Sequence, residues 1–279
     1  GGDIIYSSRD PSRDSVSIEG YFYIEEKKLD YIVRKLRDFI NTLPRWGIYP
    51  QEAVINTKKV EEEDWAESWK EHFHPVEISS NLVIIPSWIN YEPEGEKITI
   101  KLDPGMAFGC GTHPTTRMCL EALAQAPPEG ALVYDLGCGS GILSIAAVKL
   151  GAKGVIALDN DEKALQVAEE NCRENLVEGQ VRIMRGELPY FLRERDDLPR
   201  GDIILGNLST EILVETLEDI KKISHNSSRI ILTGIIASKI DLIKEKICKS
   251  GYSLEEIRYD GDWAYLKCCP GKGKNNGSG

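Results

Sequence analysis

The segment Val133-Tyr134-Asp135-Leu136-Gly137-Cys138-Gly139-Ser140-Gly141-Ile142-Leu143 constrains this chain more than any other. An apolar run ends in an acid, three glycines alternate with small residues, and a helical pattern follows at once. That order specifies a buried strand, a tight turn where a ligand can approach the backbone, and a helix whose free amides face the ligand. The glycine spacing narrows the choice. A dinucleotide-binding turn requires G-x-G-x-x-G. Counted from Gly137 the third position is Ile142, and counted from Gly139 it is Ser144. Neither register works, so a ligand without a pyrophosphate is expected.

Around this motif the chain alternates between strand and helix patterns. Strands are predicted at 82–85, 98–102, 132–135, 154–159, 181–185, 202–207 and 229–234. Helices are predicted to run from the glycine turn to Leu150 and then to Asn175, Ser224 and Lys249. The segments 252–259 and 263–268 form an expected hairpin across Asp260-Gly261-Asp262. Such alternation implies a doubly wound parallel sheet, to which the terminal hairpin adds an antiparallel strand.

The first part reads as a small α+β unit. Residues 15–25 are strand-like, with Val16, Ile18, Tyr21, Phe22, Tyr23 and Ile24. Leu29, Ile32, Val33, Leu36, Phe39, Ile40 and Leu43 fall at helical spacing, closed by Pro44, and 53–60 reads as a second strand. A split β-α-β (ferredoxin-like) order fits. The opening Gly1 to Tyr6 looks like a strand entered in mid-fold, so the unit is expected to lack its leading strand and helix. Between the units, Trp65, Trp69 and Phe73 line one face of an acidic-first helix that Pro75 ends. His72 and His74 sit at that helix end and point apart, so no metal role is expected. The expected division is 1–60 for substrate recognition, 61–74 as linker helix, 75–269 as catalytic domain and 270–279 as disordered tail.

Composition sets the class. At 279 residues the chain can hold one full α/β domain and something smaller. Its apolar runs are too short to span a membrane, and no basic-then-apolar leader opens it. Seven cysteines, an odd number without C-x-x-C spacing, argue against a disulfide framework or zinc site, so a cytoplasmic location is expected. The formal charge of −11 opposes direct nucleic-acid binding; it serves solubility, or attraction to a basic partner such as a ribosomal protein.

The G-x-G-x-G pattern after an acidic strand end resembles motif I of the S-adenosylmethionine-dependent methyltransferases. On that resemblance Gly137, Gly139 and Gly141 bring the backbone against the methionine part of the cofactor, where a Cβ would block the approach. Asp159, 22 residues past Gly137 at the end of the second strand, can accept both ribose hydroxyls. Asp161 reads as the cap of the next helix. Gly186 and Glu187 follow the third strand, where adenine is usually contacted. Asp103 to Thr116 is a glycine-rich loop in which Phe108 suits a lid, and Thr115 or Thr116 can cap the following helix while meeting the cofactor. His113 reads as a cap or backbone partner rather than a general base. The fourth strand ends Gly206-Asn207-Leu208-Ser209, at the lip facing the reactive methyl group. The Asn207 amide can accept an N–H of an amine nucleophile. Methyltransferases of exocyclic base amides carry N-P-P-[YF] here, and this chain lacks both prolines and the aromatic.

Taken together, the loop D-P-G-x-A-F-G-x-G-T-H-P-T-T, the Asp135 motif, the Asn207 strand end and the Trp65/Trp69 helix resemble the bacterial ribosomal protein L11 methyltransferase family over roughly residues 50–268. Cys110 stands where the family has threonine, and Gly206-Asn207-Leu208-Ser209 stands for Ala-Asn-Ile-Leu, a change expected to enlarge the amine pocket. The resemblance implies a class I (Rossmann-like) seven-stranded sheet. It implies cofactor contacts at Thr116, Gly137, Asp159 and Asn207, with Asn207 and Leu208 as the catalytic pair. It also implies substrate recognition by the N-terminal domain and trimethylation of lysine side chains and the N-terminal α-amine of ribosomal protein L11. A monomer without resident metal is expected. The rivals are a class I methyltransferase of another protein, a nucleic acid or a small amine, and a cofactor-binding assembly factor without transferase activity.

Overall fold

The computed structural model describes residues 2–10, 15–22, 28–46, 53–58, 74–93, 95–102, 111 and 113–271. The chain divides into two compact units, Gly1–Glu71 and His72–Gly279.

In the first unit β1 (Gly2–Asp10) pairs antiparallel with β2 (Ser15–Phe22), and α1 (Leu29–Ile40) follows. The helix stops three residues before Leu43, which opens a short 3-10 turn over Leu43–Trp46. Pro44 explains this, because it has no N–H to give Ile40 O and its ring clashes with that carbonyl in a continued α-helix. The strand expected over 53–60 is not formed at 53–58, where Val54 is 72% exposed. Val54 and Ile55 are adjacent and would point to opposite faces of a strand, and Asn56, Thr57 and Lys58 add nothing apolar to either face. The expected linker helix lies outside the described residues except at His74, which is in neither helix nor strand.

The second unit is built on a seven-stranded sheet. Its strands are β6 (Leu132–Leu136), β7 (Gly154–Asp159), β8 (Val181–Arg185), β9 (Gly201–Asn207), β10 (Ser224–Ile236), β11 (Tyr252–Asp260) and β12 (Trp263–Pro270). The spatial order is β11-β12-β10-β9-β6-β7-β8. Strands β6 to β10 run parallel, and β12 is antiparallel to both β10 and β11. The expected doubly wound sheet with a terminal hairpin is therefore present. Order reverses at β6, which lies between β7 and β9, so the ligand crevice of such a sheet falls at the carboxyl ends of β6 and β9. Pro270, the expected first residue of the tail, pairs with Tyr252 in the sheet, and 272–279 lie outside the described residues.

Two faces of the sheet bury separate cores, and this is why the central strands read as unbroken apolar runs. Along β6, Val133 enters one core with Leu120, Ile145 and Ala146; Tyr134 and Leu136 enter the other with Ile204, Leu213 and Ile243. The first face carries α2 (Pro114–Gln125), α3 (Ile142–Lys149) and α4 (Glu162–Glu174). The second carries α5 (Tyr190–Glu194), α6 (Thr210–Thr216), α7 (Ile220–Ile223) and α8 (Ile240–Lys249). Among the described residues no helix is long and apolar enough to cross a membrane.

A separate three-stranded sheet precedes α2: β3 (Val76–Ser79), β4 (Leu82–Pro86) and β5 (Ile98–Leu102), with β4 in the centre. Sequence pattern predicts β4 and β5 but not β3, and does not separate them from the main sheet. Strand β5 would leave Lys101 backbone groups unpaired on its outer edge. Asn175, just past α4, receives them: Lys101 N–H donates to its Oδ1 at 2.9 Å, and its Nδ2 donates to Lys101 O at 2.6 Å. Asn175 is only 5% exposed, so its removal strands buried backbone polar groups. Asn175→Ala is expected to cost about 2 kcal/mol in urea unfolding, with an unchanged m-value; a loss within about 0.5 kcal/mol would show that the small sheet does not depend on this clamp.

Candidate active site

The site forms where β6 and β9 end side by side. After Leu136 the chain turns through Gly137, Gly139 and Gly141, with φ of 76°, 53° and 78°, into α3. Most amides of this turn are already engaged. Gly137 and Cys138 N–H both donate to Leu158 O (2.8 and 3.0 Å), Gly141 N–H to Cys138 O (2.8 Å), and Gly139 N–H to Asp159 Oδ2 (2.8 Å). The end of β7 takes three of these four amides, and the fourth closes the turn on itself. A pyrophosphate needs a cradle of free N–H groups, and these four amides do not offer one.

Asp159 therefore has two tasks. Besides the Gly139 bond, its Oδ1 accepts from Asp161 N–H at 3.0 Å. A carboxylate has about four lone-pair sites, so acceptor capacity remains for further hydroxyl donors. Asp161 caps α4, accepting from Lys163 N–H at 2.9 Å, as its spacing predicts. Beside it a cleft of about 280 Å³ is lined by Asn160, Arg185, Gly186 and Glu187. Gly186 is needed first for packing, since a Cβ there would lie 2.2 Å from the Phe191 ring.

Asp135 lies at the heart of the sheet, fully buried. Ser144 Oγ, one turn into α3, donates to its Oδ2 at 2.6 Å, while its Oδ1 has no hydrogen-bond partner among the described residues. Burial pushes the carboxyl up to about 6, the Asp159 charge adds to this, and the Ser144 hydrogen bonds oppose it. A buried carboxylate with an orphan oxygen favours a cationic donor beside it.

On the other side, the end of β9 lies over the glycine turn. A Cβ at Gly137 would fall 2.3 Å from Leu208 Cδ2, so the space that this glycine leaves is filled by Leu208. Asn207 Nδ2 donates to Thr116 Oγ1 at 3.2 Å, which leaves Oδ1 without a bond among the described residues. Gly206 faces away: a Cβ there would meet Leu213 and Leu232 in the second core. Of the four-residue change expected to enlarge the amine pocket, Gly206 therefore contributes nothing, by strand alternation.

Thr115 and Thr116 are both 1% exposed in the first turn of α2, and neither caps it. The cap is His113, whose Nδ1 accepts from Thr115 N–H (3.4 Å) and lies 2.8 Å from Thr115 Oγ1. Pro114 explains the shift: it takes the first helical position, so the residue before it becomes the cap. The His113 ring packs edge-on against Trp263 with centroids 4.9 Å apart, and burial lowers its pKa. Phe108 and the rest of 103–110 lie outside the described residues.

Sequence reading missed two supports of the turn. Asn171, 4% exposed on α4, donates to Ser140 O at 2.9 Å, and Ser144 holds Asp135. The signal was available: Asn171 falls on the apolar stripe of Leu165, Ala168 and Cys172, where a polar side chain must have a partner.

Known proteins resemble this chain over most of its length. A family model described as ribosomal protein L11 methyltransferase (PrmA) matches residues 4–269. Ribosomal protein L11 methyltransferase of Streptococcus thermophilus is 39% identical over 251 residues, 90% of this chain and 77% of that protein. The protein of that name from Alkaliphilus oremlandii is 38% identical over 249 residues, 89% of this chain and 78% of the other. The crystal structure of ribosomal protein L11 methylase from Lactobacillus delbrueckii subsp. bulgaricus superposes with a TM-score of 0.66 at 30% identity, covering 71% of this chain and all of that one.

The electrostatics of Asp135 can be tested without any ligand. Its folded pKa is above the ordinary value of 3.8, so between about pH 4 and 6 the native state holds a proton that the unfolded state has lost. Stability from this group is therefore greatest at the acidic end and falls as pH rises through about 6, by roughly 3 kcal/mol in all. Urea melts from pH 4 to 7 should show the wild type losing stability relative to Asp135→Asn across that window. A pH-independent difference would mean that Asp135 is not held ionised against burial.

Proposed function

The chain belongs to the ribosomal protein L11 methyltransferase family, and from that premise we propose that it transfers methyl groups from S-adenosylmethionine to amines of ribosomal protein L11. The amines are lysine ε-amines and the N-terminal α-amine. The observation that carries the reading is Asn207, set with an unengaged acceptor at the lip of β9 above the glycine turn.

The donor set fits the cofactor. Engaged turn amides suit a ligand without phosphates. The orphan oxygen of Asp135 suits the α-ammonium of a methionine moiety, and the spare acceptor capacity of Asp159 suits two ribose hydroxyls. In this reading Asp135, Gly137, Gly139, Gly141, Thr115 and Thr116 face the methionine part. Asp159 holds the ribose, Gly186 and Glu187 border the adenine, and Phe108 is a further cofactor-binding residue. When bound, S-adenosylmethionine supplies an electrophilic methyl group on a sulfonium centre.

The chain's own residues then have to present a neutral amine. A free lysine ammonium has a pKa of about 10.4, so it must lose a proton before it can attack. Entry into a closed, apolar-walled pocket disfavours the charged form and moves that proton to solvent. Asn207 Oδ1 accepts one amine N–H, which turns the nitrogen lone pair away from the amide. Leu208, packed on Gly137, walls the same space and excludes water. Positioning and desolvation supply the acceleration, with no covalent intermediate on the enzyme. The N-terminal α+β unit recognises the substrate protein, and the enzyme works as a monomer in the cytoplasm.

Intact-mass spectrometry of ribosomal protein L11 after incubation with enzyme and S-adenosylmethionine tests this. Mass gains in steps of about 14 Da, one CH₂ each, are expected, mapping to lysines and the N-terminus. Asn207→Ala should slow them about 100-fold while calorimetric cofactor affinity stays the same. Asp159→Ala should do the reverse, weakening cofactor binding at least tenfold. No mass gain from a wild-type protein that binds the cofactor would overturn the substrate assignment, and an unimpaired Asn207→Ala would overturn the role of the amide.

A further inference from the structure

The carboxyl end of the sheet is not level. Strand β9 stops at Asn207, which pairs with Thr233, but β10 runs three residues further to Ile236. Because β12 is antiparallel to β10, its first residue, Trp263, lies opposite Ile236, and Asp260, the last residue of β11, lies opposite Trp263. Directly opposed residues share a face of the sheet. Ile236, Trp263 and Asp260 therefore form one row across three strands, beyond the lip that carries Asn207, and Gly261-Asp262 closes the turn beside it.

This ledge is braced from several sides. Ile236 N–H donates to Thr210 Oγ1 at 3.3 Å, Ala237 N–H donates to Asp262 O at 2.8 Å, and the His113 ring packs on Trp263. Its charges are also set apart from those of the rest of the hairpin. Glu255 pairs with Lys267 and Glu256 with Arg258, both at 3.0 Å. Asp260 and Asp262 are exposed, and their carboxylates have no partner among the described residues. Two carboxylates without a balancing cation thus stand beside Ile236, which is 38% exposed, at the end of the sheet where the site lies.

We propose that this ledge is a docking surface for the substrate protein, taking an extended basic segment next to the target amine, whose Lys or Arg charges meet Asp260 and Asp262. The inference rests on the amine-methyltransferase reading above and adds a substrate contact on the second unit to the one given to the N-terminal unit. The dimensions fit. Three strand spacings of about 4.8 Å and three residues of about 3.3 Å put Asp260 roughly 17 Å from Asn207. An extended chain covers that distance in about five residues, so the ledge reaches basic residues within about five positions of the amine. The separation matters chemically as well. An acid at the reacting nitrogen would hold it as an ammonium, whereas acids some residues away attract the segment and leave the amine free to become neutral.

Asp260→Asn/Asp262→Asn is the test, because it removes both charges and keeps side chains suited to a turn. On the full chain, KM for ribosomal protein L11 is expected to rise 5- to 20-fold at about 0.01 M salt, where the Debye length is about 30 Å. At about 1 M salt, where that length is about 3 Å, the rise should shrink below about twofold. The kcat and the calorimetric affinity for S-adenosylmethionine should stay within about twofold, since the lost interaction is made equally before and during transfer. Replacing an unmethylated Lys or Arg within about five residues of a methylated amine by Gln should weaken the substrate similarly, and combining it with the enzyme variant should add little. An unchanged KM at low salt, a fall in kcat in its place, or fully additive losses would overturn the proposal. Calorimetric binding of ribosomal protein L11 separates this from the reading beneath. A wild type that binds it without methylating it overturns that reading, and the ledge then stands only if the double variant weakens binding at low salt. A wild type that neither binds nor methylates it overturns both.

Discussion

The carboxylate of Asp159 ties together the parts on which the site depends. One oxygen accepts from Gly139 in the turn after β6, and the other from Asp161 at the start of α4. Through these two bonds one side chain fixes the glycine turn against the neighbouring strand and begins the next helix. Leu158 O, immediately before it, takes the Gly137 and Cys138 amides as well. The turn is therefore rigid before any ligand arrives, which is what preorganised binding requires. Four of the amides that a pyrophosphate could use here already have partners inside the protein.

The close approach of Leu208 to Gly137 follows from the same crowding. Parallel pairing sets Leu136 beside Gly206, so the residues just past both strands must share one narrow space. Glycine on the β6 side and leucine on the β9 side share it without collision. At the outer side Gly234 does the same for the Leu208 backbone. The lip of β9 is thus held from both neighbouring strands, and the amide of Asn207 projects from a support that has little freedom to move.

How much of this was legible in the sequence varied with the range of the interaction. Strand β7 could be read because two buried faces make an apolar run with a glycine at one end and an acid at the other. The Asp161 cap, too, is decided within a few residues. The cap of α2 depended on one local rule, the preference of Pro114 for the first helical position, which moves the cap from the threonines to His113. What could not be read is long-range. The edge of the small sheet meets Asn175 through Lys101 across 74 residues, and the Thr116–Asn207 bond spans 91. No periodicity records such pairings. The strand predicted at 53–60 failed for the opposite reason, since a short β-branched pair without alternation can satisfy only one face.

Three asparagines in the second unit show how function can be read from unfilled hydrogen-bonding capacity. Asn175 uses three of its bonds, two from Nδ2 and one at Oδ1, all to backbone. Asn171 holds the turn through Ser140 O and is itself buried. Both lie where burial demands that amide groups be satisfied, and both are structural. Asn207 is only partly buried, is bonded to a side chain rather than to backbone, and keeps an acceptor unengaged among the described residues. A protein that wanted only to pin α2 to β9 could do so with a hydroxyl or an apolar contact. In the reading proposed above, an amide with one end anchored and an acceptor unengaged among the described residues serves to orient an amine. Its free end is an acceptor, and the group it suits is a nitrogen that still carries hydrogen.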